Sequence, residues 1–177
     1  GVLVNGAGGV ITTAGSTGGH TFNAAITNHG LFSIQQSGTI LNTSRTLDAL
    51  AGTFDVASGR TLTISNGTVA LTDGSVFSGT GSLALTGTTT VNAATDYIFP
   101  ADGLAWNLYG NVNFHAAGTL TNRATLRLTH DQFHPPFINV GLVLLEPNMS
   151  ALLTVVWVVG MTTAINYIDG LDGLAAG

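Results

Sequence analysis

The chain has 177 residues, a size that suits one principal domain with a sizeable core, and only 7% of them are charged where about 25% is usual. Four Arg, no Lys and nine acidic residues leave a formal net charge of −5, which excludes the basic footprint of a nucleic-acid binder or of a protein drawn to an acidic membrane surface. The absence of Cys excludes a disulfide framework and a thiolate metal site, and leaves the redox compartment open.

The chain starts at Gly1 with neither Met nor a charged-then-apolar leader, and it stops abruptly at Gly177. The expectation is a fragment whose secretion signal was removed, was never included or never existed. Residues 1 to about 146 are rich in Gly, Thr and Asn, and repeat a phrase in which Gly precedes alternating apolar positions. It appears as GLFSI at Gly30–Ile34, GTFDV at Gly52–Val56, GTVAL at Gly67–Leu71, GSLAL at Gly81–Leu85, GLAWNL at Gly103–Leu108 and GNVNF at Gly110–Phe114. ATLRL at Ala124–Leu128 and GLVLLE at Gly141–Glu146 continue it, with GTILN, GRTLTI and GTLTN between. Alternation at period two over so few residues predicts half-buried strands, and the Gly and Asn before each run supply the turns.

Many short strands between Gly turns suit a sandwich, a closed barrel or a solenoid. The phrase returns at steps of about 14 to 30 residues, the range of one coil stacked on the next. The predicted fold is therefore all-β, a right-handed parallel β-helix over residues 1–146. Val, Leu, Ile and Phe would stack inward, with Thr, Ser and Asn outside. A β-sandwich with a Thr-rich surface is the alternative. Phrases such as SNGTVAL at Ser65–Leu71 and GTGSLAL at Gly79–Leu85 resemble the β-solenoid passenger regions of bacterial secreted adhesins, including autotransporter and filamentous-haemagglutinin-like proteins. That resemblance implies a stiff scaffold at the cell exterior that contacts cell-surface glycans or proteins, without a cofactor.

Little in this region points to chemistry. His130 and His134 would share a face of a helix, a spacing of some metal sites, with Asp131 between them, but Pro135 and Pro136 argue against the helix. A loop with incidental histidines is the expectation. Asp48, Asp55, Asp73, Asp96 and Asp102 are scattered among Gly and Ser, where Asp caps turns. Polygalacturonase-like β-helices gather carboxylates from neighbouring coils, which keeps a polysaccharide hydrolase or lyase as an outside alternative. Tyr97 with Phe99 and Trp106 with Tyr109 could form a sugar-stacking patch, although aromatics at strand edges usually finish a core.

The texture changes at the end. Residues 151–168 carry no charge and are mainly Leu, Val, Ala, Ile, Trp and Met, close to the length of about 20 residues that a membrane helix needs. The β-branched and aromatic run Val155–Val159 equally suits a buried strand. The run TAINYIDGLDGLA at Thr163–Ala175 resembles the signature of the polyprenyl-phosphate N-acetylhexosamine-1-phosphate transferases, with Thr163 where that signature has Asn. The preceding LTVVWVVGM at Leu153–Met161 also suits that family, so the likeness covers about the last 27 residues. It implies a helical apolar segment, membrane contact through 151–168, and a magnesium-dependent site that moves a sugar phosphate from a UDP-sugar to a polyprenyl phosphate. Asn166, Asp169 and Asp172 are the positions that match that site, the two Asp as metal ligands.

The sequence thus divides into a solenoid region, 1–146, and a transferase-like segment, 147–177, with a join near Glu146–Ser150. The first reading is a structural or adhesive β-solenoid, extracellular or on the bacterial cell surface, whose tail is foreign and which catalyses nothing alone. The alternative is a fragment of the magnesium-dependent membrane transferase. A third arrangement places the solenoid outside, residues 151–168 across the membrane and the Asp loop inside.

Overall fold

A computed structural model of the chain describes residues 1–15, 19–36, 39–48, 51–101, 104–129, 132–145, 154, 157–159 and 161–163, with side chains for all of these except 39–44 and 132. The chain forms two compact units, Gly1–Leu144 and Leu145–Gly177.

Among the described residues the strands follow in order as β1 (Val2–Asn5), β2 (Val10–Thr13), β3 (Thr21–Phe22), β4 (Ala25–Asn28), β5 (Leu31–Ile34) and β6 (Thr39–Asp48). Then come β7 (Thr53–Val56), β8 (Thr61–Leu71), β9 (Val76–Gly79), β10 (Ser82–Ala93), β11 (Tyr97–Phe99) and β12 (Ala105–Ala116). The last are β13 (Leu120–Asn122), β14 (Thr125–Leu128), β15 (Gln132–Phe133), β16 (Phe137–Asn139) and β17 (Leu142–Leu145). The described pairings are parallel, and each joins a strand to its counterpart one coil later. Parallel pairing without a crossover helix is the mark of a solenoid, and it disposes of the sandwich alternative, whose sheets are antiparallel.

The largest sheet runs β1-β4-β6-β8-β10-β12-β14-β17, with β3 beside β6 and β15 beside β12. It supplies two faces of the coil: the β6–β8 and β8–β10 ladders shift register in mid-strand, and β12 pairs with β14 along its first part and with β15 along its last. The third face is built from β2-β5-β7-β9 and then β11-β13-β16. Leu47 stands against Val69 and Val69 against Val91, steps of 22 residues, and Val91 against Phe114, a step of 23. Later coils shorten, with Phe114 against Phe133 and Leu120 against Phe137. The repeat is therefore narrower than the predicted 14 to 30, since the Gly phrases mark different faces of one coil rather than one face of successive coils.

Register turns alternation into a core. Leu62, Leu83, Trp106 and Leu126 form one inward column, and Leu47, Val69, Val91 and Phe114 another, all essentially without solvent exposure. On the third face Phe32, Phe54 and Phe77 stack at centroid distances of 5.4 and 5.2 Å. Phe77 meets Trp106 edge-on at 5.2 Å, Trp106 meets Phe99 at 4.9 Å, and Phe99 meets Phe114 at 6.0 Å. Phe114 stacks on Phe133 at 4.6 Å and Phe133 reaches Phe137 at 4.5 Å. This aromatic spine crosses the coil interior, and each pair contributes about 0.5–1.5 kcal/mol beyond its area burial.

In the Leu145–Gly177 unit, Thr154, Trp157–Val159 and Met161–Thr163 are helical, and Thr162 Oγ1 donates to Val158 O at 2.8 Å. The continuous apolar helix predicted for this segment is not shown. Among the described residues no helix is long and apolar enough to cross a membrane.

Candidate functional site

The transferase-like positions Asn166, Asp169 and Asp172 lie outside the described residues, as do His130, Asp131 and Asp102. What the structure places are the other candidates, on the surface and in the core of the coils.

Three of the described carboxylates, Asp55, Asp73 and Asp96, are engaged in local structure. Ser78 Oγ donates to Asp55 Oδ1 at 3.2 Å, Thr95 Oγ1 donates to Asp73 Oδ1, and Thr119 N donates to Asp96 Oδ1 at 2.6 Å. Each bond joins one coil to the next at a turn or on the outer face. Among the described residues no three His, Cys, Asp or Glu side chains converge on a point where a metal could sit. A hydrolase site of gathered carboxylates has no counterpart there.

The sugar-stacking pairs do not form either. Phe99 and Trp106 are fully buried, and Tyr97 is buried with its ring 5.3 Å from Phe99. Only Tyr109 of the four faces solvent. Burial pushes the Tyr97 phenol above its ordinary range, since the phenolate would lose its hydration there. Its hydroxyl lies 3.5 Å from Ser75 O, too long for a strong bond. Trp106 Nε1, also buried, has no hydrogen-bond partner among the described residues.

Sequence spacing pairs His134 with His130. In the structure His134 stacks instead on His115, with ring centroids 4.6 Å apart and an interplanar angle of 11°. The two are separated by 19 positions, so only knowledge of the coil register reveals the contact. Buried Asn ladders are likewise invisible to local sequence reasoning. Asn5 Nδ2 donates to Asn28 Oδ1 at 2.7 Å, Asn28 Nδ2 to Thr53 O at 3.1 Å, and Asn122 Nδ2 to Asn139 Oδ1 at 2.8 Å. Asn5, Asn28 and Asn122 are buried, and their amides tie one coil to the next rather than presenting themselves to a ligand.

Comparison with known proteins adds what the coils do not. The Glycosyl transferase family 4 profile matches residues 101–177, so the likeness starts well upstream of the DGLDGLA motif and includes coils from β12 onward. The chain is 54% identical over 50 residues to a probable undecaprenyl-phosphate N-acetylglucosaminyl 1-phosphate transferase of Bacillus subtilis (strain 168), covering 28% of this chain and 13% of that protein. It is 37% identical over 75 residues to the decaprenyl-phosphate N-acetylglucosaminephosphotransferase of Mycobacterium leprae (strain TN), covering 41% of this chain and 18% of the relative. The Mycobacterium tuberculosis (H37Rv) protein of the same name is 36% identical over 75 residues, with the same shares. The chain thus spans less than a fifth of the length of these curated relatives. No solved structure matches the chain significantly.

These matches correct the first functional reading. The coil phrases alone lead to a secreted, non-catalytic adhesin of the autotransporter-passenger kind. The family profile and the relatives point instead to polyprenyl-phosphate N-acetylhexosamine-1-phosphate transfer, the reading placed second. Solenoid geometry misleads here because it is a matter of packing and carries no chemistry of its own.

Proposed function

We propose that this chain carries part of a membrane-bound polyprenyl-phosphate N-acetylhexosamine-1-phosphate transferase, with the acidic motif Asp169–Ala175 at its reacting end. The observation that carries this reading is the family match over residues 101–177, which ends on the motif holding Asn166, Asp169 and Asp172. In the reaction proposed, a phosphate oxygen of the polyprenyl phosphate bonds to the β-phosphorus of a UDP-sugar. The bond from that phosphorus to UMP breaks, UMP leaves, and the sugar phosphate ends on the lipid.

Such a transfer gathers several phosphate charges in one place, and the site must neutralise them. Two carboxylates and one side-chain amide are hard oxygen donors, a set that suits magnesium. Asp169 and Asp172 would hold the ion and Asn166 would orient donor phosphate oxygens beside it. Magnesium held there would supply charge neutralisation of the diphosphate. The uncharged stretch 151–168 adjoins the acidic motif in sequence, and membrane contact through it would bring the motif to the level of the lipid phosphate.

The test is turnover by membranes from cells that express the chain, supplied with UDP-N-acetylglucosamine and undecaprenyl phosphate. Expected are UMP release and a lipid-linked sugar phosphate, both abolished by chelation of magnesium. Asp169→Asn and Asp172→Asn should each reduce turnover by about 100-fold or more, the scale for losing a charge-stabilising group. No magnesium-dependent product, or full activity in both variants, would overturn the reading.

A further inference from the structure

We propose that His115 and His134 form a two-histidine site for a divalent transition metal on the outer face of the solenoid. The site rests on coil register. His134 N donates to Phe114 O at 3.1 Å, a ladder bond that locks the coil holding His134 against β12. On the inner side of this step Phe114 stacks on Phe133 at 4.6 Å and 7°. Each histidine follows its phenylalanine, so alternation sends both imidazoles to the outside, where they stack at 4.6 Å and 11°. The core pair thereby holds the surface pair in place.

Both histidines are exposed, and among the described residues no third His, Cys, Asp or Glu side chain joins them. Along the strands β10 (SLALTGTTTVNA) and β12 (AWNLYGNVNFHA) there is no Lys, Arg, Asp or Glu. His115 is in register with Asn92. These two strands thus bring neither a cation nor a carboxylate to the pair.

Imidazole nitrogen suits copper, zinc and nickel, with copper tightest, and a metal–nitrogen bond is about 2.0–2.1 Å. Two such nitrogens on one tetrahedral ion lie about 3.3 Å apart. Rings 4.6 Å apart and 11° from parallel have their backbones at the right spacing, and to chelate both exposed side chains must turn their ring planes toward a common ion by rotating χ1 and χ2. Water completes the coordination. A second nitrogen already held beside the first makes its binding intramolecular, so the pair exceeds two separate histidines.

The experiment is calorimetric titration of Cu²⁺, and then Zn²⁺, into the chelator-stripped full chain, with Mg²⁺ as the hard-ion control. The expected result is one Cu²⁺ taken up by the pair, its affinity reduced at least about tenfold in His115→Asn and in His134→Asn alike. Either variant should fall to the level of the double variant, the mark of one shared ion, while His29→Asn binds like the parent chain. Copper should also raise the thermal midpoint of the parent chain and not that of either variant, each first shown to keep the parent β-sheet circular dichroism. Uptake unchanged in the double variant, or losses in the single variants that add as for two independent histidines, would overturn the proposal.

Discussion

Tyr97 shows how a single side chain records the coil packing. Its sequence position suits half of a sugar-stacking pair or an edge aromatic finishing the core, and the second role holds because its ring packs edge-on to Phe99 in the interior. A phenol buried this way titrates above its value in the unfolded chain, which is near 10. The sign comes from linkage. Below about pH 10 both states hold the proton and the burial contributes in full; above that the unfolded chain ionises first, so stability falls as pH rises. Tyr97→Phe should therefore flatten the loss of stability between about pH 9.5 and pH 11.5, as measured by urea denaturation at several alkaline pH values. Equal alkaline loss in the two proteins would mean that Tyr97 reaches solvent. The buried asparagines teach the opposite lesson. Asn28 is fully buried and hydrogen-bonded on both sides along the stack, yet in sequence it is one more polar residue in a polar run. A ladder partner 23 positions away leaves no local signal.

At the level of elements, alternation locates the strands well but divides them wrongly. GRTLTI and GTVAL read as separate strands, whereas Thr61–Leu71 is one strand that turns a corner at Asn66 and Gly67. Asn66 has φ 57° and Gly67 φ 107°, both in the left-handed region. Asn66 Oδ1 accepts from Thr88 N at 3.0 Å, and the register between β8 and β10 shifts between Thr86 and Thr89. Gly and Asn in mid-phrase thus mark bends within a ladder as well as its ends. Gly52 has a different duty. It is buried at a corner where a Cβ would press on Asn28 O and lie 2.6 Å from Asn28 Nδ2. Backbone cannot yield there without parting two coils, so Gly52→Ala should destabilise the solenoid by about 2–4 kcal/mol, an overpacking effect joined to loss of the Asn28 bonds. Denaturant unfolding measures it directly, and a loss under about 0.5 kcal/mol, the range of an ordinary surface change, would mean that the corner opens freely.

On the scale of the whole molecule, two boundaries fail to coincide. Coil pairing continues through β17 at Leu142–Leu145, while the family likeness already begins at residue 101. The abrupt change of composition near residue 150 is legible in the sequence, as is the DGLDGLA motif, because both are local. The extent of the likeness is not, since β12 to β17 keep the same Gly-led alternation as the coils before them. Each coil contacts its neighbours along the stack, so the stability of such a structure is close to a sum of coil and interface terms. Removing the residues beyond the last coil should then leave the rest intact. A chain ending at Leu145 retains the aromatic spine from Phe22 to Phe137 and every described strand. We expect it to keep its β-sheet circular dichroism and to melt within about 4 °C of the full chain, the shift that about 1 kcal/mol produces in a domain of this size. Loss of the β signal on truncation would instead mean that the coils need residues 146–177 in order to fold.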